Sequence, residues 1–207
     1  MPRTPRPVPR AIKRMSDILI AGGVLMLSAP ILLLAAAAIA VRLGRPILFR
    51  QTRPGLGGTP FRLLKLRTMR DDCEPDGRLQ ADEHRLGALG RFLRRTSIDE
   101  LPQLWNVLRG DMSLVGPRPL LMEYLELYTP EQRRRQDVRP GITGWSQVRG
   151  RNLLEWSERF ELDVWYVDHW SLGLDAKILV MTAWIVLTGR GVAQAGQATA
   201  AKFTGQR

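Results

Sequence analysis

Arg94 to Pro119 reads RRTSIDELPQLWNVLRGDMSLVGPRP, and the fold of the chain follows from how this stretch is read. It sets an adjacent carboxylate pair, Asp99 and Glu100, between two arginine-bearing segments. Pro102 fixes where the pair lies: proline lacks an amide hydrogen and fits a helix without loss only in the opening turn, where that hydrogen has no partner. The helix carrying LPQLWNVL is therefore expected to begin near Asp99. Both carboxylates would then occupy its positive end, where the dipole and free N–H groups favour anions. Downstream, Pro119 pushes Arg118 into an extended conformation and Pro117 fixes its own φ, so GPRP holds the guanidinium on a stiff loop. An arginine presented in this way suits phosphate. The alternative for the two acids is ordinary helix capping, since Ser97 and Glu100 have the spacing of a capping box. With Ser97 as cap, however, Pro102 falls one position past the free first turn and costs a hydrogen bond.

In its SIDELPQLWNVLRGDMSLVGPRPLL setting the acid pair resembles the monotopic bacterial phosphoglycosyl transferases, also called bacterial sugar transferases, which start glycan assembly on a polyprenol phosphate. RPGLGGTPFRLLKLRTM (Arg53–Met69), VRPGITGWSQVRGRN (Val138–Asn152) and FELDVWYV (Phe160–Val167) are similar to further blocks of that family. The likeness runs from about Lys13 to the end of the 207 residues. Such a length is similar to the short stand-alone members, near the enzyme that starts bacterial N-linked glycosylation. Several long motifs in order are more specific than one short pattern.

The resemblance implies transfer of a sugar 1-phosphate from a UDP-sugar to undecaprenyl phosphate, with release of UMP through a covalent aspartyl-phosphosugar. It implies that Asp99 attacks phosphorus, that Glu100 assists as base or electrostatic partner, and that Arg94 and Arg118 hold phosphate oxygens. Mg2+ is the implied cofactor, with Asp99 as its ligand; Lys65 and Arg67 are implied nucleotide or phosphate contacts. An N-acetylated amino sugar is the expected donor group, and a hexose is the alternative. The chemistry is coherent, because a carboxylate can attack a diphosphate only if cations neutralise the oxygens around the phosphorus. Hard oxygen ligands and substrate phosphates are the usual shell of Mg2+. A non-catalytic scaffold of the same fold would have lost the nucleophile, an arginine or the metal partner, and none is lost.

The net charge is +11, and its placement matters more than its size. Met1 to Arg70 carries thirteen Lys and Arg against the single acid Asp17, so the rest of the chain is close to neutral. Those basic residues flank an apolar run, with no interleaved aromatic platform and no nucleic-acid motif, which argues against nucleic acid and for anionic lipid headgroups. The lone Cys73 excludes an intrachain disulfide. His84 and His169 have no Cys or His at ligand spacing, so zinc is not expected.

Ile18 to Val41, ILIAGGVLMLSAPILLLAAAAIAV, is long enough to cross a bilayer. Gly22, Gly23, Ser28 and Pro30 weaken the helix in its middle and both flanks are basic, which places both on the cytoplasmic side. The expectation is a re-entrant helix–break–helix, with the break at Ser28 and Pro30. The family has Ser directly before this Pro, whereas here Ala29 intervenes. No small-residue cleavage site closes the run, so it reads as an anchor and not a removable signal peptide.

PILFRQ and FRLLKLRTM read as strands joined by the turn-rich RPGLGGTP, hence a β-hairpin. No GxxxxGK[ST] is present, so those glycines are not a P-loop. Asp71 to Gln80 reads as a surface loop and Glu83 to Arg95 as a helix. LLMEYLELY and PEQRRRQ read as short helices, with Arg133 to Arg135 an exposed or lipid-facing face. PGITGWSQVRGRN reads as a loop offering Gln147, Arg149 and Arg151 as weaker site candidates. Leu153 to Trp170 is amphipathic, Ile178 to Leu187 apolar but too short to span. Asp163 and Asp175 are structural or support the site from behind. Tryptophans 145, 156, 165, 170 and 184 suit a membrane interface or a core. The overall expectation is an α+β protein: basic N-terminus and re-entrant anchor at 1–45, then a mostly helical catalytic domain at 46–207. It is monotopic, on the cytoplasmic face of a bacterial inner membrane.

Overall fold

The structure is a computed structural model that describes residues 7–72, 74, 78, 80–150, 154–188 and 202–205. Helix α1 covers Pro7–Arg42 as one element with Pro30 inside it. Two helices with a break were expected; the helix instead carries through the proline. Pro30 lacks the N–H that would reach the Met26 carbonyl, and the Ser28 hydroxyl donates to Leu25 O at 3.2 Å, not to that freed group. Asp17, Ala21, Ser28, Ala35 and Ile39 are buried, and their spacing puts them on one stripe. Pro30 is exposed, about half a turn round from Ser28 at 100° per residue. The remaining surface exposes Leu19, Met26, Leu27, Leu33, Leu34 and Val41, and it belongs to the 33-residue stretch Arg10–Arg42, which is long enough to cross a membrane and contains an 18-residue window of mean hydropathy 2.6.

Both ends of α1 are fastened to the rest of the chain. Near its start, Lys13 reaches Asp175 at 2.6 Å and Asp17 accepts from the Ser113 hydroxyl at 2.8 Å. Near its end, Ala35 and Ile39 pack with Leu66 and Leu93. Strands β1 (Leu48–Pro54) and β2 (Pro60–Leu66) form the expected antiparallel hairpin, with Phe49 opposite Lys65. The expected helix from Glu83 is two, α2 (Asp82–Arg85) and α3 (Ala88–Arg95), because Leu86 and Gly87 leave helical geometry between them. A Cβ on Gly90 would come within 2.0 Å of Thr68 O, so only glycine lets α3 lie this close to the end of β2.

Asn106 then fixes α4 (Gln103–Arg109) against the hairpin. It is fully buried, accepts from Leu64 N at 3.1 Å and donates to Arg62 O at 2.8 Å. An amide satisfied on both sides by one strand specifies a single docking position. At the other end of α4, Arg14 of α1 donates to the Val107 and Leu108 carbonyls at 2.6 and 2.9 Å, the groups a helix C-terminus leaves open to a cation.

A second, parallel pairing was not legible in the sequence: β3 (Ser113–Val115) runs beside β4 (Gly141–Thr143). The strands are three residues each, too short for a periodic pattern. A Cβ on Gly116 would lie 2.3 Å from Arg139 O, so glycine is required where the chains touch. A 3-10 stretch over Met122–Glu126, then α5 (Pro130–Arg133) and a 3-10 turn over Arg134–Gln136, lead to β4. Helices α6 (Trp145–Arg149), α7 (Trp156–His169) and α8 (Leu172–Thr188) follow. Trp145 is buried in the main core with Tyr166 and Ile178, Trp184 is exposed, and Phe203 closes an aromatic cluster of Tyr124, Tyr128 and Phe160. The tryptophans therefore divide between core and surface.

Candidate active site

Helix α3 stops because Ser97 adopts a left-handed conformation, φ 57°, ψ 17°. Few non-glycine residues do so. The conformation excludes Ser97 as a helix N-cap, and its side chain makes no capping bond. Ile98–Glu100 form a 3-10 turn, and α4 starts only at Gln103, with Pro102 before it. The proline thus stands ahead of the intrahelical hydrogen bonds, as its chemistry requires, while the two acids precede α4 instead of forming its first turn.

Glu100 lies between two cations. Lys65 on β2 donates to its Oε1 at 2.7 Å, and Arg118 donates to both oxygens, at 2.5 and 3.5 Å. Burial alone would raise this carboxyl, but Arg118 and then Lys65 override it and hold it far below the usual carboxylate range. A carboxylate held so firmly ionised has little basicity. Its structural effect is to fix Lys65 and Arg118. In return Glu100 raises the Arg118 pKa, while burial draws Lys65 down.

Asp99 differs in kind. It is 6% exposed, and no hydrogen bond or ion pair to its carboxylate is made among the described residues. Burial, with the Glu100 charge beside it, pushes Asp99 up to about 6, against the pull of Lys65, Arg94 and Arg118. A buried carboxylate ringed by three cations and bonded to none of them is available to an incoming group.

The profile of the family described as Bacterial sugar transferase matches residues 8–189. The chain belongs to that family. An uncharacterized sugar transferase, EpsL, of Bacillus subtilis (strain 168) is 53% identical over 94% of this chain and 96% of its own length. A UDP-glucose:undecaprenyl-phosphate glucose-1-phosphate transferase of Caulobacter vibrioides is 48% identical over 88% of this chain and 73% of its own. An undecaprenyl-phosphate galactose phosphotransferase of Salmonella typhimurium is 38% identical over 88% of this chain, which matches 42% of that longer protein. This sugar transferase is thus an enzyme of the phosphoglycosyl transferase kind, and its apolar α1 associates it with a membrane.

Of the other expected site residues, Arg94 lies in the last turn of α3 with its Nε donating to the Thr68 hydroxyl at 3.0 Å, and its charge acts on Asp99. Arg67 is placed differently from Lys65. It lies just past the end of β2, where strand alternation lapses, and its guanidinium binds Asp71 and the carbonyls of Leu43 and Arg45. It braces the junction after α1 and makes no bond to Asp99 or Glu100. Gln147 donates to Ile142 O at 3.0 Å and Arg149 lies over the Trp145 ring; Arg151 and Cys73 fall outside the described residues. Asp175 accepts from Lys13, Tyr166 and Trp170, joining α1, α7 and α8.

Two arginines were missed. Arg53, on β1, is drawn down to about 10 by burial and by Arg118 beside it, and its Nε is buried without a hydrogen-bond partner. Arg135 is not on an exposed face: at 3% exposure it pairs with Asp163 at 2.7 Å. Counting arginines in RRR gives no indication of which one turns inward. Asp163, three residues after Phe160 on the buried side of α7, was the available signal.

For the implied Mg2+, the donor set fits a cation that keeps water and substrate phosphates. Among the described residues no group of three or more His, Cys, Asp or Glu converges, and Glu100 is committed to Lys65 and Arg118. Of the acid pair, Asp99 is left as the unpartnered hard oxygen ligand, and Mg2+ commonly binds through one or two carboxylates plus phosphates.

Proposed function

We propose that this sugar transferase moves a hexose 1-phosphate from a UDP-hexose to undecaprenyl phosphate, releasing UMP, with Asp99 as nucleophile. The observation that carries the proposal is the unpartnered, buried Asp99 carboxylate beside Lys65, Arg94 and Arg118. In the first step an Asp99 oxygen bonds to the sugar-bearing phosphorus, the bridging P–O bond breaks, and UMP leaves with the electron pair. In the second, an oxygen of the polyprenol phosphate bonds to the same phosphorus and the Asp99 carboxylate is expelled. Arg94 and Arg118 hold phosphate oxygens; Glu100 keeps Lys65 and Arg118 in place and, being fully ionised, takes no proton. Mg2+, held by Asp99 and the donor's phosphates, would supply further neutralisation of the diphosphate. Two steps suit a water-soluble donor and a membrane-embedded acceptor, which need not meet.

The hexose is favoured over the amino sugar of the sequence-based expectation because the characterised relatives are named for glucose and galactose. For topology, the reading supported best is monotopic, with both ends of the continuous α1 on one side of the membrane: Lys13 and Asp17 near its start, and Ala35 and Ile39 near its end, rest on the same domain. Both basic flanks then face the cytoplasm, on the inner membrane. The test is a panel of UDP-glucose, UDP-galactose and UDP-N-acetylated amino sugars with detergent-solubilised protein, Mg2+ and undecaprenyl phosphate, read as UMP release. Turnover with a hexose donor is expected; release only with an amino sugar would reverse the assignment.

A further inference from the structure

Arg118 occupies a loop without regular secondary structure, between β3 and the 3-10 stretch at Met122. Its two flanking prolines limit φ but do not say where the loop lies. The position is set from behind. Arg135 Nη2 donates to the Arg118 carbonyl at 2.7 Å. The same guanidinium gives Nε and Nη2 to Asp163 Oδ2, at 3.1 and 2.7 Å, and Nη1 to the Tyr128 hydroxyl at 3.1 Å. The other Asp163 oxygen accepts from the Ser146 hydroxyl at 2.7 Å. Arg135, Asp163 and Ser146 are 3%, 1% and 3% exposed. A buried ion pair of this kind is a poor device for stability alone, because well-packed apolar residues of the same volume serve equally well or better. What it does supply is geometry: a planar fork can address a carboxylate, a phenol and a carbonyl at once, and its own carboxylate is locked by a second donor.

We infer that Arg135 and Asp163 are positioning residues for Arg118, transmitting the placement of α6 and α7 to the phosphate-holding guanidinium through its main chain. The inference rests on the reading of Arg118 given above. Tyr128, Ser146 and Asp163 come from separate parts of the chain, and through their bonds to Arg135 or to its carboxylate partner they fix the one guanidinium that donates to the Arg118 carbonyl. Neither Arg135 nor Asp163 bonds to Asp99 or Glu100. Their effect on the reaction therefore runs through Arg118.

A double-mutant cycle tests this, because residues acting through one another are non-additive. Wild type, Asp163→Asn, Arg118→Ala and the double variant, each full-length in detergent, are compared by kcat/KM with a radiolabelled donor that follows very slow rates. Asp163→Asn is expected to lower kcat/KM at least tenfold in the wild-type background and less than twofold in the Arg118→Ala background. Equal losses in both backgrounds would show general structural damage and overturn the inference. Near-normal activity of Arg118→Ala would remove the underlying reading of Arg118, a distinguishable failure. If Asp163→Asn does not fold, Ser146→Ala enters the same cycle. It should lose activity severalfold only when Arg118 is present, and the same loss without Arg118 overturns the proposal.

Discussion

Replacing Arg118 with lysine keeps the charge and removes the fork. The native guanidinium bonds Glu100 at 2.5 Å through Nη2 and, at the long distance of 3.5 Å, through Nη1, leaving Nε and the outer hydrogens to face a substrate oxygen. A lysine ammonium is a single point of charge, and the nearest anion to it is Glu100, which already holds Lys65. The variant should therefore keep an ion pair to Glu100 and lose the donor aimed at phosphate. Losing one donor to a developing charge in a water-poor site costs about 3 to 4 kcal/mol, roughly 10²- to 10³-fold in rate. Stability should change little: exchanging one cation for another beside Glu100, with Arg118 itself 39% exposed at its side chain, is a change of about 1 kcal/mol or less, equivalent to roughly 2–4 °C in Tm at this chain length. The assay is UMP release under kcat/KM conditions, with thermal unfolding alongside. Turnover within threefold of wild type would refute the phosphate-holding role. A collapse of Tm that matches the loss of activity would make Arg118 a structural residue.

Four other outcomes follow from the same geometry. Asp99 lies near 6 in the protein alone, and the proposed nucleophile is its anion, so kcat/KM at low Mg2+ should rise with pH through about 6, and a flat acid limb there would contradict the proposal. Its raised pKa also means that ionised Asp99 weakens the fold, so without Mg2+ Asp99→Asn should raise Tm by a few degrees at pH 8 and by much less at pH 4, where the native group is protonated anyway. Lys13→Met removes the cation that joins α1 to Asp175 at 2.6 Å and to Val115 O at 3.2 Å; a destabilisation of about 2 kcal/mol, several degrees in Tm, is expected, and an unchanged Tm would mean α1 is held by its apolar contacts alone. In a Cys73→Ser background, Thr4→Cys and Thr59→Cys should both resist membrane-impermeant thiol reagents in intact cells, whereas labelling of one alone would establish a spanning α1.

The sequence disclosed most where one residue type has one physical use. Pro102 marked the opening of α4, the alternating runs around RPGLGGTP gave the hairpin, and the flanking prolines singled out Arg118. It disclosed less where tertiary contacts decide. Ser97 and Glu100 have capping-box spacing, yet Ser97 takes a left-handed turn, which local spacing does not encode. The β3–β4 pairing joins segments 28 residues apart at Ser113 and Gly141, with three-residue strands that carry no period. Arg67 and Lys65 look alike in LKLRTM, but the strand ends between them and their side chains part. Arg133, Arg134 and Arg135 form one basic run in the sequence, and only the buried Asp163 reveals that Arg135 turns inward.

The central claim is that Asp99 carries the phosphosugar between donor and acceptor, and intact-protein mass tests it most directly. Wild-type protein exposed to a turned-over UDP-sugar and Mg2+, with no polyprenol phosphate present, should gain the mass of one sugar phosphate and release UMP. Asp99→Asn, folded by the criterion of its thermal transition, should gain nothing. Addition of undecaprenyl phosphate should then return the wild type to its starting mass. If no adduct forms and UMP appears only once the acceptor is added, the transfer is direct and Asp99 is not the nucleophile.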